Sequence, residues 1–459
     1  MKVLELGLPS FGVGKLAHGK GVRITQINIV DMSQSNGSGR GLINQLYSST
    51  AIPAAQMFGN DYVLKAVADP TDSNVGQVDS VSDDAAAAGS IWPLTLSRML
   101  DYWSSVGAPI PEVVFIPCAK GGTSITQWLP GADHLDRSTL YGSALYRARQ
   151  AGTGQPGVLT IVHRIQGETD AAAGMSQATF EGHLATLAPA VRADFGCDLV
   201  VSKFPYCTSA NANAGQAAIW AAIEAAWASD YIRPGADLST VRVDSGDGLH
   251  MAGNLPISVA ADKMVTTLQA ACRKPVGIIS EPNLIPTPDA VSAWAGNARV
   301  TSVADVAASP FTGLTTLDRI TTISDGATTS KLALTPTFSV VSSVGYTISA
   351  VVKAETLQFL QLTGNTAVWG ATSYINFDMV KGLVGNKSGF VGHVEPLGDG
   401  FFRIEAFLAS LATSAASQIA FRTIPLLTSA RAPFTSPDDA SFLIGNVKCE
   451  ARQSASPYV

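Results

Sequence analysis

Four short polar stretches hold the residues that could do chemistry. In the first, DMSQSNGSGRG at 31–41, Ser35 stands directly behind the apolar run 24–30. A serine in a polar turn is ordinarily just a turn residue. It becomes a nucleophile when a base lies within hydrogen-bond reach and a third group orients that base. Asp247 and His250, three residues apart in DGLH, can fill both roles. At that spacing, in a helical turn or a tight loop, their Cβ atoms come within roughly 5–6 Å of each other. The carboxylate can then fix the imidazole tautomer. Donors for a developing oxyanion are available at Gly121 and Gly122 in CAKGGTSITQW, 118–128, where no Cβ blocks the backbone N–H groups. Gln166, in QGETDA at 166–171, adds a side-chain amide. Singly, each piece has a plainer reading: a glycine turn, a helix cap, a chance DxxH.

Their place along the chain gives them a common address. From 24 to 272 apolar runs alternate with longer amphipathic segments, the pattern of a parallel sheet with crossover helices. Strands are expected at 24–30, 113–117, 158–165 and 198–204. Helical stripes fall on Phe180, Leu184, Leu187 and Val191, on Ile219, Ile223 and Trp227, and on Ile257, Ala261, Met264, Leu268 and Cys272. Three of the polar stretches follow strands and the fourth precedes the last long helix. All four should therefore open on one edge of one sheet, where ligands collect in open α/β folds.

With the motifs in that order, the chain resembles the SGNH hydrolases. QSNG around Ser35, GGTSI…W at 121–128, QGETD at 166–170 and DGLH at 247–250 stand in the order of that superfamily's blocks. More narrowly the chain looks like the sialate O-acetylesterase and acetyl xylan esterase branch, over about residues 24–272. The resemblance implies a three-layer α/β/α, flavodoxin-like hydrolase domain that removes acetyl groups from carbohydrates through an acyl-serine intermediate, with no metal and no cofactor. It implies Ser35 as nucleophile, His250 as base and Asp247 as its orienter. The oxyanion hole would be the Ser35 N–H, a glycine of the 121–122 pair and Gln166. One departure stands out: Ser33 occupies the position where the branch usually has glycine, and its Cβ is expected to tighten the turn before Ser35.

The remaining polar residues are less pointed. His163 lies inside a strand and reads as packed or hydrogen-bonded, and His18, His134, His183 and His393 have no motif around them. Glu168 and Asp170 suggest a carboxylate pair, but a glycosidase needs a second acid placed opposite and nothing marks one. They read as helix-start or loop-bracing groups. GxSxG, HExxH, GxxxxGK[ST] and a GxGxxG after a strand are all missing.

After Cys272, Pro275, Pro282, Pro286 and Pro288 mark an extended linker, with a boundary near 275. Beyond it, alternating segments at 346–353, 358–362, 374–379, 401–407 and 418–424 predict an all-β, jelly-roll-like sandwich. The expected layout is an arm at 1–23, an esterase domain at 24–274 and a sandwich at 275–459. The sandwich resembles, more loosely, carbohydrate-binding-like domains that end phage tail fibre and tailspike proteins. Asn283-Leu284, Trp294, Phe402-Arg403 and Tyr458 carry that likeness. Sugar-stacking rings are expected at Trp369 and Tyr374, read as loop residues, against core or interface packing as the plainer reading.

Composition removes several classes of function. The chain has 459 residues, 30 Lys and Arg against 36 Asp and Glu, and no basic block to release counterions from a phosphate backbone, so nucleic acid is not an expected partner. No stretch nears the roughly 20 apolar residues of a membrane span. Five cysteines without CxxC spacing argue against a disulfide framework or a zinc knuckle. The first 21 residues lack a signal-peptide core, so export by the usual route is not expected. The expectation is a tail-associated esterase acting outside the cell on O-acetylated bacterial capsule or lipopolysaccharide, with other tail proteins as partners. Such proteins are commonly trimers, though no heptad run or β-helix repeat demands one. The alternatives are a bacterial xylan or sialate acetylesterase, cytoplasmic if not phage-borne, and a receptor-binding tail protein that keeps the fold without activity.

Overall fold

The structure is a computed structural model and describes residues 24–40, 55–71, 89–105, 110–155, 157–273, 283–310, 315–325, 331–431 and 436–451. The expected arm at 1–23, Pro275, Pro282 and Tyr458 lie outside these residues. The chain divides into two compact units, residues 1–279 and 280–459.

The first unit is an α/β domain. Its strands are β1 (Gln26–Asp31), β2 (Ala55–Phe58), β3 (Leu64–Ala66), β4 (Glu112–Pro117), β5 (Val158–Ile165), β6 (Leu199–Lys203) and β7 (Ile232–Asp237). They form one sheet in the order β3-β2-β4-β1-β5-β6-β7, parallel except for β3. The helices are the short turn α1 (Ser35–Ser38), α2 (Trp92–Ser105), α3 (Leu140–Gln150), α4 (Glu168–Ala172), α5 (Gln177–Phe195), α6 (Ala210–Ala226) and α7 (Asn254–Arg273). α2 pairs with α7 on one face, while α5 packs with α6 and α3 on the other. With both faces covered, the central strand β1 is sealed on either side: Ile27, Asn28, Ile29 and Val30 all have no exposed surface.

The expected strands and stripes appear close to their expected bounds. Phe180, Leu184, Leu187 and Val191 are buried on α5, and Ile257, Ala261, Met264 and Leu268 on α7. β7 was not expected because it holds Pro234 and Gly235. It lies at the edge of the sheet, where proline's missing N–H leaves no neighbour unpaired.

The second unit is all antiparallel β. A five-stranded sheet runs in the order Leu332–Leu334, Ile419–Ile424, Phe359–Gly364, Tyr374–Asp378 and Leu383–Ser388. A six-stranded sheet runs in the order Val391–Gly398, Phe401–Ala409, Gly345–Ala354, Ser441–Glu450, Thr315–Thr322 and Val300–Ala308. Ile348, Ala350 and Val352 from one sheet, and Leu360, Leu362, Phe377 and Phe421 from the other, share one core.

Trp369 is in that core, which corrects its expected place in an exposed loop. A single helical turn, Thr366–Trp369, folds the indole inward. It is fully buried, meets Tyr346 edge-on at 5.7 Å between centroids and donates Nε1–H to Ser417 Oγ at 2.8 Å. It has no face free for a sugar. Tyr374 is half-buried at the first position of its strand. Trp369→Ala should therefore act as a core truncation, costing the second unit about 3–5 kcal/mol. Urea unfolding of this variant beside the wild type, followed by far-ultraviolet circular dichroism, checks this.

Candidate active site

Ser35 is where β1 ends. Gln34 is the N-cap of α1 in extended backbone, so the chain leaves the strand and turns into one helical turn beginning at Ser35. The neighbours of β1 in the sheet are β4 and β5, whose following loops carry Gly122 and Glu168. Three adjacent strand ends thus meet, and the loop ahead of α7 closes over them with Asp247 and His250.

The distances form a continuous line. His250 Nε2 lies 2.8 Å from Ser35 Oγ, and His250 Nδ1 lies 2.6 Å from Asp247 Oδ2. Asp247 Oδ1 accepts the Ser245 hydroxyl and the backbone N–H of Leu249 at 2.8 Å. Partial burial would raise the Asp247 pKa, but the hydrogen bonds from Ser245, Leu249 and His250 outweigh it and hold the carboxyl well below the usual range. It is therefore ionised wherever the imidazole needs an anionic partner.

These groups face a cleft of about 480 Å³ lined by Ser35, His250, Gly122, Glu168, Arg40 and Asn211 among others. Gly122 has φ +70°, a left-handed backbone that favours glycine, and a Cβ there would project into open space. Its N–H, like that of Ser35, is engaged by no acceptor among the described residues. Gly121 does not line the cleft.

Gln166 needs a correction. It is buried, it does not line the cleft, and its Nε2 donates to the Thr123 carbonyl at 2.5 Å and to Asp170 Oδ2 at 3.3 Å. With its donors spent there, the amide braces the loop that presents Gly122 and does not face an oxyanion. Asp170 works on the same loop, accepting from the Ser124 hydroxyl at 2.5 Å and the Ile125 N–H at 3.1 Å. Glu168 accepts from Asn36 Nδ2 at 2.7 Å. The loop-bracing reading of the two acids matches this geometry.

Ser33, the departure from glycine, is fully buried and useful where it stands. Its hydroxyl donates to Asp31 Oδ1 and accepts from the Ile165 N–H at 2.7 Å, joining the ends of β1 and β5. Opposite it is Gly37, where a Cβ would collide with Ser33 Cβ and come within 2.7 Å of Asp31 Oδ2. The tightened turn is accommodated by the missing side chain at 37.

His163 belongs to a second serine–histidine–aspartate set below the cleft. Its Nε2 lies 2.8 Å from Ser202 Oγ and its Nδ1 3.5 Å from Asp31 Oδ1, and none of the three has any exposed surface. Sealed from solvent, it is structural. Asn36, Arg40 and Asn211 were not singled out in the sequence. Asn36 could have been suspected from its place beside Ser35, but nothing in the sequence signals the other two.

Comparison with known proteins finds a family model that matches just under half of the chain. Residues 26–250 match the family model for carbohydrate esterases described as sialic acid-specific acetylesterase. No curated protein matches the chain. Among solved structures, the chain is similar to a protein from Arabidopsis thaliana at 15% identity and TM-score 0.42, over 54% of this chain and 99% of that one. NanS gives 14% and 0.41, over 54% and 98%. A carbohydrate acetylesterase from Xanthomonas citri gives 11% and 0.39, over 94% and 80%.

Glu168 also generates a stability prediction. Burial pushes its carboxyl from 4.5 up to about 7, against the pull of the Asn36 hydrogen bond. A carboxyl whose pKa is raised by folding contributes its stability below the unfolded value and loses it as pH rises through the folded one. Wild type should lose about 2–3 kcal/mol more than Glu168→Gln between about pH 5 and about pH 8. Urea titrations of both proteins at the two pH values measure the difference.

Proposed function

We propose that this chain, whose first unit matches a carbohydrate esterase family, is a serine O-acetylesterase acting on O-acetylated bacterial surface polysaccharide. The observation that carries the reading is the line from Ser35 Oγ through His250 to Asp247 at 2.8 and 2.6 Å, set at the mouth of an open cleft.

In this reading Ser35 Oγ attacks the acetyl carbonyl carbon and its proton passes to His250 Nε2. The imidazolium that forms is stabilised by ionised Asp247. The developing oxyanion takes the Ser35 and Gly122 N–H groups, donors that need no rearrangement to receive it. When the bond from the acetyl carbon to the sugar oxygen breaks, His250 returns the proton to that oxygen, leaving acetyl-Ser35. A water then attacks the ester, gives its proton to His250, and acetate leaves as Ser35 recovers its hydrogen.

The setting we propose is a phage tail, on the sequence likeness of the second unit to tail-fibre sandwiches, with the enzyme reaching capsule or lipopolysaccharide from outside the cell. Against the alternative of a receptor-binding tail protein that keeps the fold without activity stands the same line from Ser35 through His250 to Asp247.

Ser35→Ala should abolish hydrolysis of a chromogenic acetyl ester and acetate release from O-acetylated capsular polysaccharide. His250→Ala should cost about 10³-fold or more in kcat. A wild-type protein inert on both substrates would overturn the esterase reading.

A further inference from the structure

Ser35 and His250 are 215 residues apart in sequence, so their 2.8 Å approach depends on whatever ties the loop at 245–251 to the turn at 33–37. Within its own loop His250 is well held, since Asp247, Ser245 and the Leu249 N–H form a closed set. The outer side of the loop is fastened where the Gly248 carbonyl accepts from Thr208 and Ser209 N–H at 2.8 and 3.1 Å. Neither set of bonds reaches the nucleophile turn.

Asn36 does. Its Nδ2 donates to the Leu249 carbonyl at 3.1 Å and its Oδ1 accepts from the Met251 N–H at 3.1 Å, so one side chain grips the residues on both sides of His250. The second Nδ2 hydrogen goes to Glu168 Oε1 at 2.7 Å. Asn36 and Glu168 are both at least nine-tenths buried. A carboxamide suits this place because it donates and accepts from one rigid plane. Which end faces Leu249 and which Met251 is decided by Glu168: its Oε1 can only accept, whether or not a proton sits on Oε2.

Resting on the esterase reading above, we propose that Asn36 is a positioning residue that sets the His250 imidazole against Ser35, and that Glu168 fixes the orientation of the Asn36 amide. The nucleophile and the grip on its base are thus consecutive residues on one helical turn. A displacement of either loop that keeps Asn36 seated keeps Ser35 and His250 in register.

The test uses the full-length protein, a chromogenic acetyl ester and proton NMR of the low-field His250 Nδ1–H resonance, a signature of the His250–Asp247 hydrogen bond that does not need turnover. Asn36→Ala should lower kcat about 100-fold with KM changed less than about threefold, the cost of a misplaced catalytic group, and should shift or broaden the resonance. Asn36→Asp keeps the side-chain shape and reads the grip even where the alanine variant fails to fold. It loses both donors, and Glu168→Gln in the same chain should recover about tenfold, because the new amide can donate to the aspartate. Unchanged kcat and an unchanged resonance in a folded Asn36 variant would overturn the proposal. A wild type inert on esters, with a resonance that still responds to Asn36→Asp, would leave the grip standing and remove the esterase reading.

Discussion

Four ionisable side chains buried at and beneath the floor of the cleft govern how everything above them is arranged. Asp31, Arg164, Glu168 and Asp170 are at the carboxyl ends of β1 and β5 or just beyond, each at most 3% exposed. A charge taken out of water is costly unless hydrogen bonds or opposite charges replace the solvent. The replacements come from different segments: Ser33 and Trp92 for Asp31, Asn36 for Glu168, Ser124 and the Ile125 N–H for Asp170, the Met32 carbonyl for Arg164. Burial lowers the Arg164 guanidinium to about 9 while Asp170, Asp31 and Glu168 pull it back up, so it stays cationic at neutral pH among the three acids. The same bonds pin the loops after β1, β4 and β5 to one another, and Asn36 carries the connection on to the loop of His250.

That arrangement gives the cleft its shape through bonds of the protein's own. Donors and acceptors above the buried layer are held by partners that would be left unpaired by any shift. Such a site meets developing charge with little reorganisation, which is where electrostatic stabilisation is most effective. The contrast with the sealed set of Ser202, His163 and Asp31 is instructive. Both sets have the same three residue types, and only the one built on loops beyond the strand ends is open to a cleft.

Much of this was legible in the sequence, for identifiable reasons. Strands and helices whose burial follows a simple period were read close to their bounds, as were the loops with Ser35, Gly122 and His250, because strand ends announce themselves by a change from apolar to polar. What was not legible depends on direction in space. The amide of Gln166 turns down to Thr123 and Asp170, and the indole of Trp369 turns into the core through one helical turn; no spacing encodes either. The same holds for Asn36, whose partners Leu249 and Met251 lie more than two hundred positions away.

Ser33 and Gly37 carry a consequence for how this turn can change over generations. With the serine in place no side chain fits at 37, and a glycine at 33 would still leave Asp31 Oδ2 within 2.7 Å of an added Cβ. Position 37 is thus closed from two sides, and a lineage that keeps Asp31 beneath the turn keeps glycine there whatever stands at 33.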